Sequence, residues 1–160
     1  MLEKGTRTGF PTQEARGTLL LTEKYELSSN SGKKSMLVKI ACIGLAGALG
    51  ALCRYGLAGT IQQMVGQFFP LGTALVNILG CFLFGFIATL IDEGMVLPPG
   101  AKIYLLTGFM GAFTTFSTYT FETASFIRYS QWLLAGANIL GQTVLGLVFL
   151  FFGIFLARLL

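Results

Sequence analysis

Apolar and polar positions along this chain follow two regimes that change near Met36. Residues 1–35 mix charged side chains with Gly5, Gly9, Pro11, Gly17 and the run Ser28-Ser29-Asn30-Ser31-Gly32. That pattern predicts a disordered or loosely ordered polar tail. Leu19-Leu20-Leu21 is too short for the apolar core of a signal peptide, and no small-residue cleavage pattern follows it. Met36 reads as a natural start, with the tail dispensable. Beyond it, long apolar stretches run over about 37–61, 71–91, 101–127 and 132–159, joined by short polar connectors. A bilayer core takes about 20 mostly apolar residues per helix, so each stretch is long enough to span with some tilt. Backbone polar groups in lipid must be satisfied within the segment, which predicts helices rather than strands. The expectation is an all-α, multi-pass membrane protein in which residues 36–160 form a four-helix subunit with both termini on one side.

Composition sharpens this. Hydrophobic residues make up 54% of the chain and charged residues 11%, against about 25% charged in a soluble domain. Residues 1–35 hold six of the 11 Lys and Arg and four of the seven acids, so the spans are nearly charge-free. A soluble fold could not hide so much apolar surface behind so little polar surface. The net charge of +4 comes without a basic patch interleaved with aromatics, so a nucleic-acid partner is not expected. The chain has no His, which removes the commonest general base and metal ligand. Cys42, Cys53 and Cys81 lie far apart inside apolar segments and read as small buried hydrophobes. Lys39, Lys102 and Arg158 fall on the terminal side of the spans, Arg54 and Arg128 on the other. That near-balance hardly fixes an orientation.

A few polar side chains inside the spans are candidates for chemistry. Arg54 sits near the end of the first span, after the small residues Gly47, Gly50 and Ala51. It is either a snorkelling arginine or one that draws anions into a vestibule. Asn77 lies in the middle of the second span and needs a partner: either an interhelical hydrogen bond or an anion path facing its amide N–H. The third span carries Gly108 and Gly111, and then five hydroxyl residues besides Tyr119 between Thr114 and Thr120. Such a run is poor for a straight helix and predicts a break, where freed carbonyls can hold a cation. Phe116 and Tyr119, three apart, share a helical face and can turn positive ring edges toward an anion. Glu122 is either solvated at the interface or paired with Arg54 or Arg128. Asn138 and Gln142, four apart in the last span, form a polar stripe suited to helix association or to a polar track.

The stretches Gly47–Tyr55, Gly72–Phe82 and Gly108–Thr118 closely resemble the Fluc/CrcB fluoride channel family, over Met36 to Leu160. The resemblance implies antiparallel, dual-topology dimers of four-helix subunits in the cell membrane, with the third helix broken at mid-membrane. It further implies two narrow fluoride pores and a structural Na⁺ at the dimer centre, bound by the carbonyls of Gly111 and Thr114. Asn77 and Phe116 match pore residues, with Thr115 and Thr118 beside them. Tyr119 stands where the family usually has a second Phe. Arg54 matches a vestibule Arg. Asn138 and Gln142 fall where the family often has a Tyr and a Ser on a polar track. The partner subunit is a second copy or a related chain. Two other readings stay open: a proton- or Na⁺-coupled small exporter, for which Glu122 would be the embedded carboxylate, and a non-transporting membrane assembly protein. No nucleophile–base pair is visible to support an enzyme.

Overall fold

The computed structural model describes residues 13–66, 68–93 and 100–160, with side chains from Lys34 onward. All regular structure among these residues is helical: α1 (Gln13–Val65), α2 (Leu71–Asp92), α3 (a π-wound stretch Ile103–Met110 closed by one α-turn, Gly111–Phe113), α4 (Phe116–Arg128) and α5 (Trp132–Ala157). Lys34–Val65, Leu71–Asp92 and Trp132–Ala157 are each long and apolar enough to cross a membrane. The third apolar stretch is divided between α3 and α4.

The polar segment expected as irregular chain is helical from Gln13 on, and residues 1–12 lie outside the described residues. The physical reason is local. No proline interrupts the chain between Pro11 and Pro70, and Glu, Ala, Arg, Leu and Lys between Gln13 and Leu27 favour helix. Scattered charges do not exclude a helix. Residues 1–40 and 41–160 form separate compact units.

Within the unit 41–160, α2 lies at the centre. Val76, Leu106, Met110 and Phe113 form the buried cluster, with Leu57, Leu83, Ile87 and Phe109 packed around it. The outer flank of α1 (Leu45, Leu49, Leu52) is exposed apolar surface, as a lipid-facing helix requires. Gln62 staples the α1–α2 loop. Its side-chain amide donates to the Phe69 carbonyl at 3.0 Å and to the Gly66 carbonyl, and its Oε1 accepts the Gly72 N–H at 3.0 Å. Pro70 then sits at the start of α2, where a missing N–H costs nothing. At the other end of α2, Asp92 pairs with Lys102 at 2.6 Å and Glu93 with Arg158 at 3.3 Å. Lys102 and Arg158 therefore share one end of the bundle, as the charge count anticipates.

Glycines make the close helix crossings possible, Gly50 and Gly153 among them. Gly50 of α1 lies against the Phe109 carbonyl of α3, and Gly153 of α5 against the Phe82 carbonyl and the Phe86 N–H of α2. A side chain at Gly153 has to push backbone away. Gly153→Val is expected to lower stability by about 1–3 kcal/mol, the usual cost of overpacking. Gly136→Ala, where a Cβ meets open space, is expected to be neutral or slightly stabilising. Thermal unfolding of the two variants in detergent checks the contrast.

Candidate functional site

The break expected in the third apolar stretch falls at Thr114 and Thr115. Thr114 is extended (φ −85°, ψ 157°) and so is Thr115 (φ −143°, ψ 110°). The approach to it is already irregular, because the widened π-wound turns bring the Gly111 N–H back to the Leu106 carbonyl. Thr114 still bonds backward, its N–H and its hydroxyl each donating to the Met110 carbonyl at 3.1 Å. Thr115 restarts the helix as an N-cap, its Oγ1 accepting the Thr118 N–H at 3.3 Å. Threonine is a good residue for that position.

In an uninterrupted helix the Gly111 carbonyl would accept the Thr115 N–H, and the Thr114 carbonyl the Thr118 N–H. Both amides are diverted. The Thr115 N–H donates to Asn77 Oδ1 at 2.8 Å, and the Thr118 N–H goes to the Thr115 side chain. The Ala112 carbonyl is taken by Arg54 Nε at 3.0 Å. Gly111 and Thr114 are thus left with carbonyls that have lost their helical donors.

Asn77 spends its whole amide on the break and its neighbour. Besides accepting from the Thr115 N–H, its Nδ2 donates to the Thr115 carbonyl at 3.1 Å and to Gln142 Oε1 at 2.8 Å. Gln142 Nε2 donates to Asn138 Oδ1 at 2.8 Å, and Asn138 Nδ2 donates to Thr123 Oγ1 at 2.9 Å. Asn77 makes the interhelical hydrogen bonds weighed as one of its alternatives, and it also lines a cavity. Arg54 is tied to the break rather than directed away from it. Glu122 meets neither Arg54 nor Arg128. The Thr73 hydroxyl donates to its Oε1 at 2.6 Å, and its Oε2 is buried without a partner among the described residues.

Two cavities flank the interruption. One, of about 500 Å³, is lined by Arg54, Gln62, Thr73, Thr115, Thr118 and Glu122 among others. The second, of about 460 Å³, is lined by Asn77, Thr114, Thr115, Phe116, Tyr119 and Gln142 among others. Of the residues matched to the pore, Asn77, Phe116 and Tyr119 line the second cavity, Thr118 lines the first with the vestibule Arg54, and Thr115 lines both. The Phe116 and Tyr119 rings lie 5.6 Å apart, tilted by 44°, and Phe116 is 76% exposed in the single subunit. Asn138 is fully buried and lines neither cavity. Sequence reasoning missed Thr73 and Thr123. Thr73 lies one turn before Asn77 on α2, a spacing that could have revealed it.

A family profile described as CrcB-like protein, Camphor Resistance (CrcB), matches residues 41–154. The chain belongs to the CrcB family. The match takes in Arg54, Asn77, the interruption and the amides of α5. Among its curated CrcB relatives is the fluoride-specific ion channel FluC of Nitrosococcus oceani, 50% identical over 125 residues that cover 78% of this chain and 100% of the relative. The protein of that name from Nitratidesulfovibrio vulgaris is 50% identical over 121 residues, covering 76% of this chain and 98% of the relative. That from Maridesulfovibrio salexigens is 46% identical over 122 residues, covering 76% and 97%. A CrcB chain with such helices is a multi-pass membrane protein, and with channels for relatives it is not an enzyme.

Proposed function

We propose that this protein is a fluoride-selective channel of the cell membrane that passively exports cytoplasmic fluoride and so reduces its toxicity. One observation carries the reading: an interrupted helix with diverted amides, beside a cavity lined by aromatic rings and amides, in a chain 50% identical over 125 residues to a fluoride-specific channel. HF crosses membranes and dissociates inside, and a potential negative inside drives the anion out at about 2.3 kcal/mol per charge per 100 mV. That gradient suffices, so no energy-coupling site is needed. Arg54 raises the local anion concentration in the first cavity. The ring edges of Phe116 and Tyr119 replace lost hydration with weak, positive C–H contacts in the second. Weak donors in a narrow path favour a small anion without trapping it.

The working unit in this reading is an antiparallel, dual-topology dimer, with a second copy or a related subunit, whose break lies at mid-membrane. The 76% exposure of Phe116 in the single subunit supports a partner surface that closes the path. The carbonyls of Gly111 and Thr114 suit a structural Na⁺, because they are neutral, hard oxygen donors relieved of their helical hydrogen bonds. Bound there, the ion would brace the two interruptions against each other.

Fluoride efflux from liposomes containing the purified protein tests this. The expected result is rapid fluoride release with a chloride rate lower by orders of magnitude. Equal chloride and fluoride rates remove the selectivity, and no flux of either ion removes the channel.

A further inference from the structure

The amides of α5 that form a possible polar track do something else in this geometry. We propose that Asn138 and Gln142 are positioning residues, which hold the helix interruption in place by orienting Asn77, and that Asn138 never meets the permeating ion. The inference rests on the channel reading above.

Directional hydrogen bonds carry the argument. A carbonyl can only accept, a backbone N–H can only donate, and a primary amide does one at each end. At the far end of the relay, Thr123 Oγ1 lies 2.8 Å from the Tyr119 carbonyl, so its single hydrogen points there. Its lone pairs then face Asn138, which must present Nδ2 at 2.9 Å. Asn138 Oδ1 is thereby turned to Gln142, which must present Nε2 at 2.8 Å. Gln142 Oε1 is left for Asn77, which must present Nδ2 at 2.8 Å. Asn77 Oδ1 is left for the Thr115 N–H.

Starting from the break gives the same answer. The Thr115 N–H has to meet an oxygen, and the Thr115 carbonyl has to meet a nitrogen. Both ends thus fix one polarity, and every intervening amide satisfies it without conflict. A chain of amides, half-buried at Asn77 and Gln142 and fully buried at Asn138, that agrees from both ends holds one state of the break against its flipped alternatives. Asn138 is 0% exposed, lines neither cavity and still completes the relay, which separates positioning from lining.

The test uses the full-length protein in liposomes and in detergent, with Gln142→Met and Asn138→Leu. Fluoride efflux and amide hydrogen exchange, resolved over 112–119, α2 and α5, are measured for each. Loss of one buried hydrogen bond in the relay is expected to lower flux about tenfold in either variant. Exchange is expected to rise over 112–119 while α2 and α5 keep wild-type protection, a localisation that a general loss of packing would not produce. Folded Asn138→Leu with wild-type flux overturns the proposal. So does impaired flux in Gln142→Met with unchanged exchange at the break, because Gln142 then acts on the path itself. Should Asn138→Leu fail to fold, Gln142→Met decides by the same exchange reading. Wild-type protein without fluoride flux overturns the channel reading and this inference together, whereas a conducting wild type with unaltered variants overturns this inference alone.

Discussion

Replacing Phe116 with isoleucine is expected to stop most fluoride movement while leaving the fold intact. Phe116 is 76% exposed in the subunit, so its removal takes little from the buried cluster around Val76 and Met110. It lines the second cavity beside Tyr119, and in the proposed pore its contribution is a ring edge offered to the ion. Ile offers similar bulk but no quadrupole, and an anion stripped of water at that point meets neutral hydrocarbon instead of positive C–H edges. If the edge contact of a desolvated anion matches the about 2 kcal/mol of a desolvated cation over a ring face, the loss is roughly 30-fold in rate. Liposome efflux at fixed protein-to-lipid ratio measures it, with thermal unfolding in detergent as the control. Flux within a factor of about two of wild type, too small for such a contact, would take Phe116 off the path.

The Asn77 variants are expected to behave differently, damaging both stability and transport. Asn77→Ala strips the Thr115 N–H and carbonyl, and Gln142 Oε1, of their partners at once. A buried group left unsatisfied costs about 1–3 kcal/mol, and these are half-buried, so a loss of roughly 2–3 kcal/mol is expected, with flux falling sharply. Asn77→Asp is expected to be worse than Asn77→Ala, although it is closer in shape. The carboxylate can still accept the Thr115 N–H, but it sets an oxygen against the Thr115 carbonyl and Gln142 Oε1. Thermal unfolding ranks the three proteins, and a stability for Asn77→Asp equal to wild type would contradict the assigned hydrogen bonds.

Much of this architecture is legible in the residues themselves. The apolar stretches around 71–91 and 132–159 correspond to α2 and α5 almost end to end, because length and hydropathy alone set a spanning helix. The break is visible in the Gly108–Thr120 composition, since glycines and hydroxyls both weaken a straight helix. Which residues seal it is not. A sequence shows that Asn77 needs a partner but not whether its oxygen or its nitrogen faces the chain, and that choice depends on α5, 61–65 positions further on. Arg54 is legible as a cation near a span end, yet its bond to Ala112 depends on how closely Gly50 lets α1 approach α3. Glu122 could not be paired by charge, because its partner is the neutral hydroxyl of Thr73. The helix from Gln13 escapes a sequence reading, because scattered charge and a Ser-Asn-Ser-Gly run resemble coil even where intrinsic propensities carry the backbone through.

That α5 closes the relay also orders events at the ribosome. Helices emerge in chain order, so α2 delivers Asn77 before α3 and α4 arrive, but Gln142 and Asn138 come only with α5. Until then the third apolar stretch sits in the bilayer with its gap braced from one side. A nascent chain that stops before Trp132 therefore exposes a half-held polar notch in hydrocarbon, the kind of lesion that membrane quality-control proteases act on. If the relay holds the break as proposed, the arrival of α5 is the moment at which the centre of this fold becomes a single defined structure.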